Sequence, residues 1–296
     1  MLLIAGATGY IGGLLAERLA EQGRDVRCLA RDPEAAAGRL DERCEIVRGD
    51  VLDRATLDSA LAGVDTAYYL VHSMGRGAGS DFEERDRRGA RNFAEAAKAA
   101  GVERIVYLGG LGEPTSPHLR SRHETAAELA STGVPLTYFR AAIVIGHGSE
   151  SLRTIAYLVR RLPAMVTPSW TSTRTQPIAA ANVVEYLVRT LDVPASRGRE
   201  IEIGGAEVTT YGGLLDLCAR AQGKRPRVRI GVPLLSPRLS SWWIGLVTPV
   251  DVGVARPLVE GLTTETVVED PSGMELFDVE STPLEEAMRE AMGELF

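Results

Sequence analysis

The sequence predicts an α/β protein with a Rossmann-type, doubly wound parallel sheet and a small C-terminal substrate lobe. Three observations lead to this fold class. The chain opens with an apolar strand, a glycine-rich turn and a helix; strand-like and helix-like segments then alternate to about residue 146; beyond it, helices and proline-punctuated loops prevail. Strict alternation with short connections requires parallel strands and right-handed crossovers, with helices on both faces of one sheet.

The elements of the first half follow from hydrophobic periodicity. Ile11, Leu14, Leu15 and Leu19 form one helical stripe, and Gly23 follows at the position of a C-cap glycine. Further strands are predicted at DVRCLA, CEIVRG, DTAYYLV, ERIVYLGG and PLTYFRAAIVIG, and further helices at RATLDSALAG, residues 81–100 and RSRHETAAELASTG.

The second half predicts a smaller unit. Its helix-like stretches are SESLRTIAYLVRRL, AAANVVEYLVRTL and TYGGLLDLCARAQG, with one short strand, EIEIGG. We therefore expect a Rossmann domain at residues 1–146 and a substrate or lid lobe at residues 147–296. The lobe should interleave with the sheet around residues 176–205, because QPIAAANVVEYLVRTL is typical of a helix that packs back onto the sheet.

Composition narrows the class of protein. The 296 residues are 45% hydrophobic and 25% charged, and the net charge of −7 argues against a nucleic acid partner. Cys28, Cys44 and Cys218 lie far apart without a metal-ligand pattern, so reduced thiols and no metal site are expected. A strand beginning at Leu2 leaves no room for a signal segment, and no apolar run of about 18 residues occurs, which predicts a cytoplasmic protein without a transmembrane segment.

The motif G-A-T-G-Y-I-G lies between the first strand and the first helix. In that setting its glycines allow a tight turn, close approach of the backbone to a pyrophosphate and close helix–strand contact. The motif therefore predicts a dinucleotide site. The predicted cofactor-binding residues of this loop are Gly6, Ala7, Thr8, Gly9, Tyr10 and Ile11.

The second strand is followed by the residues that distinguish NADP from NAD. Arg31 suits a 2′-phosphate, because a guanidinium forms charge-assisted hydrogen bonds with it, whereas a carboxylate would repel it. NADP(H) is therefore favoured over NAD(H). In the alternative, Arg31 is solvated and the neighbouring Asp32 binds the ribose.

Later strand ends complete the expected cofactor site. Asp50 and Val51, after the third strand, are expected to contact the adenine edge. The segment after the fourth strand should pass beside the nicotinamide-side ribose. That segment comprises Leu70, Val71 and His72, and Gly109 at the end of the fifth strand completes the set.

The first half resembles the short-chain dehydrogenase/reductase superfamily, in particular its atypical, NmrA-like branch of NAD(P)-binding proteins. The resemblance covers residues 1 to about 145 and depends on GATGYIGG, ARDP, GDVLD, VDTAYYLVHSMG, AGVERIVYLGGLG, HLRSRHE and TYFRAAIVIG. It implies a Rossmann fold, a nicotinamide cofactor at the carboxyl ends of the strands and a substrate pocket closed by the C-terminal segment. QPIAAANVVEYL, EIGG and LSSWWIGLVTPV are similar to a bacterial subgroup of NAD(P)H-binding proteins.

The catalytic residues that the resemblance implies are replaced. The family's serine falls on Gly109 or Gly110, its tyrosine on His118 and its lysine on Arg122. His118 could protonate a product, since an imidazole titrates near neutral pH; alternatively it caps the helix or packs beneath it. Arg122 could bind the nicotinamide ribose but cannot tune a neighbouring proton as an ammonium does. His118 and Arg122 are the candidate catalytic residues.

Two further features concern the substrate. Arg140, at the end of the sixth strand, either binds substrate or pairs with Glu124 or Glu128. The segment LLSPRLSSWWIGLVTPV, residues 234–250, contains Trp242 and Trp243; a pocket wall suited to a flat, apolar substrate is favoured over contact with a membrane surface. The acidic segment after residue 259 ends in a short amphipathic helix that is expected to cover the surface.

Two function classes follow. The first is NADPH-dependent reduction of a small, apolar, conjugated or quinone-like acceptor without the Ser and Tyr-x-x-x-Lys groups. The second is a non-catalytic NADP(H)-binding redox sensor or assembly factor. An epimerase or dehydratase acting on a nucleotide sugar is less favoured, because such relatives normally keep the Tyr–Lys pair. The sequence leaves the oligomeric state open.

Overall fold

The structure, a computed structural model, describes residues 1–72, 82–162, 164–167, 169–231 and 262–296. The strands are β1 (Leu2–Ala5), β2 (Val26–Ala30), β3 (Glu45–Arg48), β4 (Thr66–Tyr69), β5 (Arg104–Gly110), β6 (Leu136–Ala141), β7 (Val144–Ile145), β8 (Ala164–Thr167), β9 (Arg174–Thr175), β10 (Ile178–Ala179), β11 (Glu200–Ile203), β12 (Thr209–Thr210) and β13 (Val228–Gly231). The α-helices are α1 (Tyr10–Glu21), α2 (Pro33–Ala37), α3 (Arg54–Leu61), α4 (Phe82–Ala100), α5 (Pro117–Ala130), α6 (Glu150–Arg161), α7 (Ala180–Arg189), α8 (Tyr211–Ala221) and α9 (Leu284–Leu295).

The central sheet has seven parallel strands in the order β11-β6-β5-β4-β1-β2-β3. The chain moves outward from β1 in one direction to β3 and then in the other direction through β4 to β11. This confirms the predicted doubly wound, Rossmann-type sheet. The reversal of strand order beside β1 is the place where such sheets bind ligands, at the carboxyl ends of the strands.

Helices cover both faces of the sheet. Successive strand residues point to opposite faces, so Leu3 packs beneath α3, α4 and α5 while Ile4 packs beneath α1 and α7. Both side chains are fully buried. Burial on two faces explains why the strands read as nearly continuous apolar runs.

Helix ends are fixed by local capping. Helix α5 begins at Pro117, three residues before the predicted stretch, because the Ser116 hydroxyl accepts a hydrogen bond from the Leu119 N–H at 3.2 Å. The short helix α2, which the sequence pattern did not predict, begins in the same way: Asp32 accepts from the Ala35 N–H at 3.2 Å and Pro33 follows it.

The predicted sixth strand is divided in two. Leu136–Ala141 forms β6 in the central sheet, whereas Val144–Ile145 forms β7, which pairs with β10 outside it. The chain thus leaves the sheet at residue 142 and begins a second cluster of elements. There α6, α8 and α9 pack around a core that includes Leu152, Leu214 and Met288.

The C-terminal half also contributes to the main core. Strand β11 extends the sheet beside β6, and the Phe277 ring lies 5.5 Å from those of Phe139 and Tyr186. The expectation that the acidic segment only covers the surface is therefore wrong, since Phe277 is 1% exposed. A domain boundary at residue 146 stays a prediction. Trp242 and Trp243 lie outside the described residues.

None of the helices in the described ranges is long and apolar enough to cross a membrane. Cys28, Cys44 and Cys218 are buried free thiols.

Substitution of Phe277 tests whether the acidic segment stabilises the sheet. We expect Phe277→Ala to lower the free energy of unfolding by about 3–5 kcal/mol, because it empties a fully buried aromatic site. Leu276→Ala is the matched control: Leu276 is 36% exposed, so the change should stay within about 0.5 kcal/mol. Urea denaturation of both variants measures the difference; equal losses would contradict this packing.

Candidate functional site

The glycine loop is shaped by two close backbone approaches. Gly6 has φ +97°, and a Cβ there would lie 2.6 Å from the Leu70 carbonyl oxygen. A Cβ at Gly12 would overlap the Gly6 carbonyl oxygen, and the turn is closed by a 2.9 Å hydrogen bond from the Gly9 N–H to that oxygen. Only glycine fits at both positions.

The same loop leaves the beginning of α1 open to an anion. Gly9 is the N-cap and provides no side-chain cap, so N–H groups of the first turn have no partner within the helix. Such a helix start, above a turn narrowed by glycine, fits a dinucleotide pyrophosphate. The loop residues from Gly6 to Ile11 would hold it.

The Tyr10 side chain packs against the loop that follows β7. Its ring covers Gly146 and Gly148, where a Cβ would overlap it, and its hydroxyl hydrogen-bonds the Gly148 backbone. The His147 ring meets it edge-on at 5.1 Å, and His147 Nδ1 lies 2.5 Å from Glu294 Oε2 on α9. Tyr10 and His147 also line a cleft beside the glycine loop.

The end of β2 presents one free cation. Arg31 is exposed, and its guanidinium makes no hydrogen bond or ion pair within the described part of the chain. The neighbouring Asp32 is occupied as the cap of α2. Beside the glycine loop lies a cleft of about 740 Å³, whose lining includes Thr8, Gly9 and Arg39. Sequence reasoning missed Arg39; the signal available was a second arginine shortly after Arg31.

The turn after β3 is held rigidly. Asp50 Oδ1 accepts from the Leu52 N–H at 2.9 Å, and Asn92 donates to the Val51 carbonyl at 3.0 Å. Val51 is buried and Asp50 is half-buried. After β4, the Leu70 N–H donates to the Ala5 carbonyl at 2.8 Å, which fixes Leu70 against the glycine turn. All the predicted cofactor residues follow or end strands β1 to β5, at one edge of the parallel sheet.

Neighbouring side chains occupy the space beside Gly109 and Gly110, the positions at which the family has its serine. A Cβ at Gly109 would lie 2.7 Å from the Tyr138 ring, and one at Gly110 would lie 2.7 Å from Leu119 Cδ2. The Tyr138 hydroxyl is buried and has no hydrogen-bond partner among the described residues. A side chain at 109 would therefore have to displace the Tyr138 ring, and one at 110 would have to turn the end of the Leu119 side chain aside. The sequence signal was an aromatic residue on the strand next to these glycines.

His72, His118 and Arg122 interact electrostatically at this edge. Burial lowers the pKa of His118 well below its usual value, and the positive charge of Arg122 lowers it further. The same charge is the main cause of the lowered pKa of His72, which is exposed. Both imidazoles are consequently neutral at pH 7. His118 lies in the first turn of α5, where Ser116 already provides the cap.

Arg140 forms an ion pair with neither Glu124 nor Glu128. Its guanidinium pairs with Glu200 at 2.8 Å and Glu202 at 3.3 Å on β11, and donates to the Gly112 carbonyl at 2.8 Å. The proposed pairing with Glu124 or Glu128 is wrong, because those side chains face arginines of α4. Arg140 therefore ties the loop after β5 to the edge strand.

The comparisons agree with this geometry. Residues 6–141 match the family described as NAD(P)H-binding. This part of the chain is therefore similar to NAD(P)H-binding proteins. The match confirms the resemblance to NAD(P)-binding proteins.

Two curated proteins show how varied its relatives are. A (4-alkanoyl-5-oxo-2,5-dihydrofuran-3-yl)methyl phosphate reductase of Streptomyces griseus is 38% identical over 47% of this chain. The alignment covers 46% of that relative, about half of its length. Photosystem II assembly factor Ycf39 of Trieres chinensis is 24% identical over 82% of this chain and 76% of its own.

A solved structure shares the whole fold. The NADPH-dependent quinone oxidoreductase of Escherichia coli, complexed with NADPH, has a TM-score of 0.77 at 21% identity and covers 100% of both chains. At this identity the likeness shows the fold.

Substitutions of adjacent glycines in α1 test the loop. Gly12→Ala should abolish NADP(H) binding, because its Cβ would displace the Gly6 carbonyl. Gly13→Ala is the control: its Cβ would lie 3.4 Å from the Ala7 oxygen, so binding should persist, with about 1 kcal/mol gained in helix stability. Fluorescence titration with NADPH and thermal unfolding measure both effects. Equal affinities of the two variants would refute the proposed cradle.

The depressed pKa of His118 has a consequence for stability. Below about pH 6.5, His118 is protonated in the unfolded chain but stays neutral in the folded protein. The free energy of unfolding should therefore fall as the pH drops from 7 towards 4. His118→Gln should make this decline shallower by up to about 1.4 kcal/mol per pH unit. Denaturant unfolding at stepped pH measures the slopes; identical slopes would show that His118 protonates freely in the folded protein.

Proposed function

We propose that this protein is an NADPH-dependent oxidoreductase that reduces a small conjugated or quinone-like acceptor. The observation that carries the proposal is the arrangement of one sheet edge. The glycine cradle and the free Arg31 follow strands β1 and β2 there, and His72, His118 and Arg122 follow β4 and β5 at the same edge. When bound, NADPH supplies a hydride. The chain's residues bind the nucleotide and set the polarity around the acceptor.

The preference for NADP(H) rests on two neighbouring side chains. Arg31 has no partner in the described residues, so it is available to a 2′-phosphate. Asp32 caps α2 through one carboxylate oxygen, which accepts from the Ala35 N–H at 3.2 Å, and such a cap stabilises a helix by about 1 kcal/mol. Arg39 provides a second positive charge beside Thr8.

The class of acceptor follows from what the site lacks. No serine fits at 109 or 110 without displacing Tyr138 or Leu119, and both imidazoles are neutral. A conjugated carbonyl or quinone needs little help from a protein acid, because its own π-system takes up the charge of the incoming electron pair. The phosphate reductase of Streptomyces griseus and the quinone oxidoreductase of Escherichia coli are similar proteins whose names fit this class.

A second candidate is a non-catalytic NADP(H)-binding sensor or assembly factor. The filled serine positions favour it, as does the similarity to photosystem II assembly factor Ycf39. A sensor must bind NADP+ and NADPH with unequal affinity, since a ligand without differential binding shifts no equilibrium.

Turnover separates the two candidates. Purified protein with NADPH should oxidise it, measured at 340 nm, in the presence of 1,4-naphthoquinone or an α,β-unsaturated aldehyde, and should not do so after Gly12→Ala. A rate equal to the blank across quinones, enones and imines would exclude the oxidoreductase proposal. Unequal affinities for NADP+ and NADPH without turnover would then favour the sensor.

Arg31→Asp tests the cofactor preference. A carboxylate would repel the 2′-phosphate, so the affinity for NADPH should fall on the order of tenfold to a hundredfold while that for NADH is kept or rises. Arg225→Asp makes the same charge change at an exposed position between α8 and β13 and should leave both affinities unchanged. Thermal shift with the four nucleotides measures this; an unchanged profile for Arg31→Asp would remove the assignment.

A further inference from the structure

Arg122 is held at the carboxyl end of β5. It lies on α5, its side chain is half-buried, and its carbonyl accepts a hydrogen bond from the Tyr107 hydroxyl at 3.4 Å. Its Cγ lies 3.9 Å from the point that a Cβ of Gly110 would occupy. The guanidinium therefore extends from a fixed stem beside the two glycines that replace the family's serine.

Arg122 is half-buried and, within the described part of the chain, has no counter-ion. On α4, Arg87 and Arg91 pair with Glu84 and Glu128, and on β6, Arg140 pairs with Glu200. Within the described ranges the Arg122 guanidinium has neither an ion pair nor a hydrogen bond. A half-buried cation without a partner is destabilising, which makes an anionic ligand at this position favourable.

The neighbouring groups do not neutralise this charge. His72 and His118 both lie within electrostatic range of Arg122. The neutral His118 imidazole offers one N–H donor, whereas the His72 ring already donates a hydrogen bond to its own backbone. Asp86 is a buried carboxylate of α4, and it accepts a hydrogen bond from Ser121 Oγ at 3.2 Å on the same helix as Arg122. The surroundings of Arg122 thus combine one fixed positive charge with the N–H donor of His118.

We propose that Arg122 is the anion-binding residue of the substrate site and that the acceptor carries a carboxylate, phosphate or sulfonate group. This rests on the proposed function and narrows its substrate class from apolar to anionic conjugated compounds. His118 is the neighbouring hydrogen-bond donor for the same group. A guanidinium binds such oxyanions by two parallel hydrogen bonds, so the site recognises planar carboxylates and tetrahedral oxyanions alike.

Calorimetry tests the binding without turnover. Benzoate and inorganic phosphate are titrated separately into the protein saturated with NADP+, so that the phosphate-binding groups of the nucleotide site are occupied. We expect both to bind the wild type, and Arg122→Met to weaken binding by about tenfold or more. Arg122→Lys should recover phosphate better than benzoate, because an ammonium lacks the planar fork.

A matched control and a second variant keep the result decisive. Arg120→Met removes the same charge from an exposed position on the same helix and should leave anion binding unchanged. Arg122→Gln replaces Arg122→Met if the latter does not fold. Anion binding that survives both Arg122 substitutions overturns the proposal. So does a loss of NADP+ affinity in these variants, because Arg122 would then serve the nucleotide.

A pair of acceptors separates this inference from the proposed function. We expect 1,4-naphthoquinone-2-sulfonate to be reduced with a lower KM than 1,4-naphthoquinone, and Arg122→Met to remove the difference. Reduction of both with equal KM, unaffected by Arg122→Met, overturns the inference and leaves the oxidoreductase in place. Reduction of neither refutes the oxidoreductase, and calorimetry alone then decides whether Arg122 binds anions.

Discussion

The contact between Gly12 and the Gly6 carbonyl determines the geometry of the whole nucleotide edge. Because no side chain separates them, α1 begins directly above the end of β1 and points its uncapped first turn at that edge. Leu70 closes on Gly6 from β4, which aligns the ends of the central strands. The Tyr10 ring contacts the His147 ring, and His147 hydrogen-bonds Glu294 on α9. These contacts connect α9 to the glycine loop that follows β1.

Close packing around glycine has a different effect at the end of β5 from its effect in the loop after β1. At residues 6 and 12 it opens a space for a ligand, whereas at residues 109 and 110 it makes room for Tyr138 and Leu119. A serine at either position would have to displace one of these side chains, and the permanent charge of Arg122 cannot tune a neighbouring acid as an ammonium does. The described residues of this edge thus combine a glycine turn that fits a nucleotide with a fixed positive charge and two imidazoles that are neutral at pH 7.

Local sequence patterns predicted the fold and the nucleotide loop because both depend on near neighbours. Alternating apolar segments fix parallel pairing, and the glycine spacing fixes the turn. What could not be predicted depends on partners far along the chain. Arg140 finds Glu200 some sixty residues later, and Phe277, within an acidic segment, fills a gap between Phe139 and Tyr186. The role of Asp32 was ambiguous in the sequence, because helix capping and ribose binding both require a carboxylate that accepts hydrogen bonds. Its hydrogen bond from the Ala35 N–H favours capping.

The most direct measurement is a crystal structure of the protein with NADP+. We expect the pyrophosphate to lie against the N–H groups at the start of α1 and the 2′-phosphate to lie about 3 Å from the Arg31 guanidinium, with Asp32 still capping α2. A ribose held by Asp32, or a nucleotide bound away from the glycine loop, would contradict it.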